Sequence, residues 1–162
     1  MLNVYLVCVG KLKERFYQEA CAEYIKRLSP YCRLTMLELP EERLPQSPSQ
    51  GQIDAALRKE AGAIRAKIPP QSHVTALCVE GRMRSSEELA ARLRGSAWGD
   101  GSSKRLVFLI GGSYGLDEAL KREVQDRLSM SPMTFPHHLA RVMVLEQLYR
   151  AFKINEGSSY HK

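Results

Sequence analysis

Two short stretches of this chain have the residue types and spacing to hold a small ligand. The first is Gly111-Gly-Ser-Tyr-Gly115, which directly follows the apolar run Arg105 to Ile110. Glycines at such a point let backbone approach a ligand closely and permit positive φ. The spacing is neither G-x-G-x-x-G nor a Walker loop ending in G-K-[ST], so those nucleotide fingerprints are absent. A tight strand-to-helix turn is the plain alternative. The second stretch is Ser129-Met-Ser-Pro-Met-Thr-Phe-Pro136. Its two prolines fix φ and withhold N–H donors, which stiffens the loop. The remaining backbone groups need partners, and a ligand can supply some of them. Met133 and Phe135 offer apolar and sulfur–aromatic surface to a flat ring. A rigid connector into the last helix is the competing reading.

Other reactive side chains do not group. Cys8, Cys21, Cys32 and Cys78 lie far apart without a C-x-x-C pair, which argues against a zinc site. Cys8 and Cys78 sit in apolar runs where thiols pack as small hydrophobes, and structural disulfides are not expected in a reducing compartment. His73, His137, His138 and His161 lack metal-ligand spacing, so no metal is expected. His137 and His138 fall at a helix start, and His161 falls in a polar tail. Glu146 reads as the partner of an arginine or of its own helix.

A frame of alternating strands and helices must position these stretches. Leu2 to Val9 is a first strand ending at Gly10. Arg15 to Leu28 spaces Phe16, Ala20, Tyr24 and Leu28 four apart, one helix face, with Pro30 after it. Arg33 to Leu39 is a second strand, and Pro40 to Gln50 an exposed loop. Ile53 to Ile68 is a helix closed by Pro69 and Pro70, and His73 to Val79 a third strand. Ser85 opens a helix with Glu88 completing a capping box; the helix fades into a flexible turn region, Gly95 to Lys104. The continuous apolar run Arg105 to Ile110 suits a strand covered on both faces. A helix from about Asp117 to Asp126 follows, then Leu128 to Phe135 as a short strand or loop.

The last helix runs from His137 to about Ile154. Leu139, Val142, Met143, Leu145, Leu148, Tyr149 and Phe152 wrap more than one stripe of it, so it is expected to be buried on more than one side. A second subunit or the monomer core can supply that cover. The order of elements implies one α/β domain over residues 1–162, with a mostly parallel sheet and helices on both faces. Ligands bind such sheets outside the carboxyl ends of the strands. Three loops qualify: Glu80 to Arg84, Gly111 to Gly115 and Ser129 to Pro136.

Composition fits a soluble globular protein of 162 residues, 44% hydrophobic and 26% charged. No apolar run approaches the ~18 residues of a membrane span. The N-terminus lacks the basic flank and cleavage site of a signal peptide, so the cytoplasm is the expected location. A net charge of +6 and a pI near 9.3 favour a polyanionic partner, because Lys and Arg neutralise phosphates. Lys11, Lys13, Arg82 and Arg84 are candidates at strand ends, with solubilising charge as the equal alternative.

Taken together, FLIGGSYGLDEAL, LSMSPMTFPHHLARVMVLEQLYRAFKI and the terminal Tyr160-His161 resemble the ribosomal large subunit methyltransferase H family. The opening strand leading into Val9-Gly10-Lys11-Leu12 is similar too, and the resemblance covers the whole chain. It implies the SPOUT class, an α/β sheet ending in a C-terminal trefoil knot that binds S-adenosylmethionine. It implies methylation of N3 of a pseudouridine in 23S-type ribosomal RNA by a homodimer, with assembled ribosomes as the substrate. By the same resemblance the cofactor residues are Leu77, Gly112 and the loop Ser131, Pro132, Met133, Thr134, Phe135 and Pro136. Some relatives carry Pro-Glu where this chain has Ser113-Tyr114, with the glycine frame kept. The N3 proton must leave, which makes His161 the candidate base, Tyr160 the residue orienting the nucleotide, and Arg141 a stabiliser of negative charge on neighbouring carbonyl oxygens. Two other readings stay open: a non-catalytic ribosome-binding protein on the same fold, and, less favoured, a nucleotide-using Rossmann-type enzyme.

Overall fold

The computed structural model describes residues 1–94 and 105–162. In chain order the elements are β1 (Leu2–Val9), α1 (Arg15–Leu28), β2 (Cys32–Leu39), α2 (Gln50–Arg65) and β3 (His73–Met83), then α3 (Ser86–Arg94), β4 (Arg105–Ile110), α4 (Glu118–Glu123), β5 (Asp126–Ser129) and α5 (His137–Asn155). The strands form one sheet in the order β2-β1-β4-β3-β5, and every pairing is parallel. The expected turn region Gly95 to Lys104 lies outside the described residues.

Successive strand side chains point to opposite faces, and here both faces are apolar. Val4, Leu6, Cys8, Leu106, Phe108 and Ile110 share a core with Cys21 and Leu28 of α1, Leu89 and Ala90 of α3, and Val144, Leu145, Leu148 and Ala151 of α5. Val7, Val9, Val74, Ala76, Val107 and Leu109 pack with Ala61 and Ile64 of α2 and Leu120 of α4. Helices therefore cover both faces, and no residue from Leu106 to Ile110 is more than 3% exposed. That is why the run reads as continuous apolar sequence rather than as an alternation. No residue of α5 is fully exposed. Tyr24 of α1 meets Tyr149, and Asn155 bonds the Ala90 carbonyl of α3, so neighbouring helices of the same chain supply cover beyond the sheet.

Four expectations need correction. The helix expected from Ile53 starts at Gln50, because Ser49 and Gln52 form a reciprocal capping box; it ends at Arg65, not Ile68. The third strand does not end at Val79. It continues to Met83 through an irregularity in which both Leu77 and Arg82 pair with Leu128, so the expected loop Glu80 to Arg84 lies largely inside β3. The helix expected to reach Asp126 stops at Glu123, and Asp126 to Ser129 pairs with β3 instead. The unpaired edge of β3 needs hydrogen-bond partners, and that demand outweighs local helix propensity. Finally, Phe16, on the apolar stripe by spacing, is 63% exposed.

Ser49→Ala removes one half of the new capping box. About 1 kcal/mol of stability is expected to go with it, read as a lower thermal midpoint.

Candidate functional site

The carboxyl ends of β3, β4 and β5 open onto a cavity of about 920 Å³, within the range of about 300–1,000 Å³ typical of small-molecule sites. The irregular part of β3 contributes Leu77 to Glu80. The turn after β4 contributes Gly111 to Gly115, and the connection after β5 contributes Met130, Ser131 and Met133 to Pro136. His137 and Ala140 close one side from α5. The structure thus brings Leu77, Gly112, Ser131, Met133, Thr134, Phe135 and Pro136 to one cavity. Pro132 belongs to the same loop without lining the cavity.

Local geometry explains the glycines. The Gly115 N–H donates to the Gly112 carbonyl at 3.1 Å, and Gly115 has φ +80°, which side-chain-bearing residues rarely adopt. A Cβ on Gly111 would stand 2.3 Å from the Gly115 carbonyl oxygen. The turn therefore exists only because position 111 is bare on that side. Glu41 braces it from outside: its Oε1 accepts the Ser113 N–H at 2.8 Å and would lie 2.5 Å from a Cβ on Gly112. Sequence reading missed Glu41, because its partner is 72 residues away and nothing local marks it.

The proline-containing loop is partly satisfied by itself. Ser129 Oγ donates to the Ser131 carbonyl at 3.0 Å, and the Met133 N–H donates to Ser131 Oγ at 3.0 Å. Met133 is left 72% exposed. Also lining the cavity, the buried Lys121 pairs with Glu80 and, at 2.6 Å, with Glu118. Burial pulls the Lys121 pKa down, but the two carboxylates outweigh it and hold the ammonium above its ordinary range. The i,i+3 spacing of Glu118 and Lys121 was a legible signal for half of this cluster. His137 is held below the usual histidine range by burial first and by His138 next, so its imidazole is neutral at pH 7.

The three residues expected to act on the nucleotide lie elsewhere. Arg141 is fully buried. Its Nη1 donates to Glu38 Oε2 at 2.7 Å and its Nη2 to the Gly10 carbonyl at 3.1 Å. Glu38 also accepts the Leu12 N–H at 2.8 Å. The guanidinium thus ties α5 to the end of β1 and to β2, outside the cavity. Tyr160 donates to Glu146 at 3.3 Å, sits edge-on to Tyr149 and lies under the Arg150 guanidinium. Burial, and then the negative charge of Glu146, push its phenol up to about 12. His161 Nε2 meets Glu87 at 2.7 Å, and Arg150 lies 3.2 Å from its Nδ1. Both tail residues rest on α3 and α5 of their own chain and do not line the cavity. Glu146 takes two bonds from Arg150, the arginine partnership expected from the sequence.

Beside the tail a second cavity of about 530 Å³ opens between α3 and α5, with Ser86, Leu89, Met143 and Glu146 in its walls. Among the described residues no three His, Cys, Asp or Glu side chains converge as metal ligands. Among them, too, no helix is long and apolar enough to cross a membrane.

Comparison with known proteins bears on this geometry. The family profile described as "Predicted SPOUT methyltransferase" matches residues 2–161. The chain is 45% identical over 161 residues to the ribosomal RNA large subunit methyltransferase H of Listeria monocytogenes serotype 4b, covering 99% of this chain and 100% of that one. It is 42% identical over 162 residues to the protein of the same name from Bacillus thuringiensis, again over 99% and 100% of the two chains.

Proposed function

The chain belongs to the SPOUT methyltransferase family, and from that premise we propose that it methylates N3 of a pseudouridine in 23S-type ribosomal RNA. The methyl donor is S-adenosylmethionine, and the substrate is the assembled ribosome in the cytoplasm. One observation carries this reading: the glycine turn after β4 and the proline-stiffened loop after β5 meet at a single cavity. On the same reading the segment after β5 is threaded as a trefoil knot.

The residues present suit this donor. Leu77, Ile110, Leu116 and Phe135 give the cavity apolar wall for an adenine ring. The tight turn puts three residues without side chains, Gly111, Gly112 and Gly115, in the cavity lining, where backbone can come close to a ligand. When bound, S-adenosylmethionine supplies a methyl group already activated on its sulfonium. The protein's work is then largely alignment at near-attack distance, and removal of the N3 proton. His161 is the proposed base and Tyr160 the residue that orients the nucleotide. In a single chain both are engaged with Glu87 and Glu146 away from the cavity, which favours a homodimer in which the tail of one copy completes the cavity of the other. Arg141, buried and bonded to the Gly10 carbonyl, is given a positioning part: it holds the β1–α1 loop against α5.

Two measurements test the reading. Calorimetric titration with S-adenosylmethionine is expected to give heat, whereas a purely ribosome-binding protein on this fold gives none. His161→Ala, and a chain lacking residues 160–162, are expected to keep donor affinity while methyl incorporation into ribosomes falls by about 10²–10⁴-fold. Full incorporation by both variants would remove the tail from the mechanism.

A further inference from the structure

At the carboxyl end of β1 the chain presents an aromatic ring to solvent among cations. Phe16 is 63% exposed. Lys11 and Lys13 in the preceding loop and Arg15 at the start of α1 are exposed as well. Arg15 pairs with Glu19 one turn along, and Glu14 faces His138 at 3.4 Å, so both acids of this patch are engaged. Lys11 and Lys13 make no ion pair among the described residues. A lone exposed aromatic is ordinary, but this one begins a continuous run of rings. Phe16 lies 4.3 Å from Tyr17, Tyr17 lies 6.0 Å from His138, and His138 lies 4.1 Å from His137, centroid to centroid. His137 is a wall of the 920 Å³ cavity. The rings therefore lead from open surface to the place where the proposed chemistry occurs.

We infer that Phe16, with Lys11 and Lys13 beside it, is a stacking platform for an unpaired RNA base that neighbours the nucleotide placed at the cavity. This use of Phe16 rests on the RNA reading above. N3 lies on the pairing edge of the base, so the target must be unpaired when it is attacked, and unpaired neighbours have free faces. Proteins hold such bases by stacking them on aromatic rings while cations take the phosphates. The basic loop after β1 and the aromatic first turn of α1 together have the chemistry for both contacts. The competing occupant is a second copy of this chain, which would cover Phe16 in a dimer. The exposed lysines beside the ring favour RNA, because they would have to be desolvated in a protein interface.

The test uses the full chain and an end-labelled oligouridine, read by fluorescence anisotropy at low salt. Phe16→Ala is expected to weaken binding about tenfold, while Phe16→Trp preserves it. Lys11→Gln combined with Lys13→Gln is expected to flatten the slope of log affinity against log salt by about 1.4. Calorimetric affinity for S-adenosylmethionine is expected to be unchanged in all three variants, which also shows that they fold. Oligouridine binding by Phe16→Ala equal to that of the parent chain overturns the platform. So does conversion of Phe16→Ala to a monomer by light scattering, since the ring would then belong to a subunit interface. A parent chain that binds oligouridine through Phe16 but takes up no S-adenosylmethionine would overturn the methyltransferase reading and leave the platform standing.

Discussion

Gly111→Ala is expected to lower affinity for S-adenosylmethionine by about 100-fold or more, roughly 2.7 kcal/mol. The added Cβ would fall 2.3 Å from the Gly115 carbonyl oxygen and 2.4 Å from its carbon. These are backbone atoms, so no rotamer change relieves the clash. The turn has to open, the Gly115-to-Gly112 hydrogen bond is lost, and one wall of the cavity moves. Overpacking of this kind costs about 1–3 kcal/mol of stability as well, which a urea midpoint reads independently of ligand. Gly112→Ala is the contrast. Its nearest obstacle is a Glu41 carboxylate oxygen at 2.5 Å, the far end of a flexible side chain that can swing into water. The smaller loss there is about 1 kcal/mol, for the hydrogen bond Glu41 gives up. Calorimetry that found Gly111→Ala as tight a binder as the parent chain would detach this turn from the ligand site.

Arg141→Leu is expected to destabilise the fold by about 3 kcal/mol. That is the low end for breaking a buried ion pair by removal of one partner, because the Glu38 side chain is 33% exposed and stays partly hydrated. The Gly10 carbonyl also loses its donor. Arg141→Lys should not restore both bonds, since an ammonium cannot present the guanidinium's fork. The loss depends on pH in a definite direction. Burial pushes the Glu38 carboxyl up, but the Leu12 N–H and Arg141 outweigh burial and hold it below its ordinary range. A carboxylate with a depressed native pKa adds stability that is complete above its unfolded value, about 4.3. That stability is lost as pH falls through the native value. The gap between parent and Arg141→Leu, measured by urea unfolding, is therefore expected to be constant from neutral pH down to about 5 and to close in stronger acid. A gap that widens in acid would mean that Glu38 is not the group Arg141 serves.

These two positions also show where local reading stops. The run Arg105 to Ile110, the capping box of Ser85 and Glu88, and the long apolar helix from His137 are encoded by neighbours in sequence. Ser85 and Glu88 form the reciprocal bonds that their spacing implies, at 2.6 and 3.1 Å. The capping box of Ser49 and Gln52 carried the same local signal inside a stretch whose Pro and Ser content pointed to loop. By contrast, Arg141 reads as an ordinary arginine on a helix. Its burial is decided by Glu38, 103 residues earlier. Glu41 braces the Ser113 turn from 72 residues away, and His161 meets Glu87 of α3, 74 residues earlier.

Strand edges follow the same division. Cys78 to Gly81 depart from regular pairing, and Asp126 to Ser129 form a strand, because β3 and β5 must satisfy one another's backbone groups. Neither segment states that need in its own residues. From sequence alone came the α/β class, the order of elements from β1 to α4 with the last helix, and the two loops able to hold a ligand, because these follow from periodicity, capping and glycine or proline chemistry over a few residues. Only the tertiary structure decided that the loops share one cavity, that Arg141 is committed elsewhere, and that Phe16 faces solvent. Those outcomes depend on which distant surfaces pack together, and a burial or ion-pair energy exists only once both partners are in place.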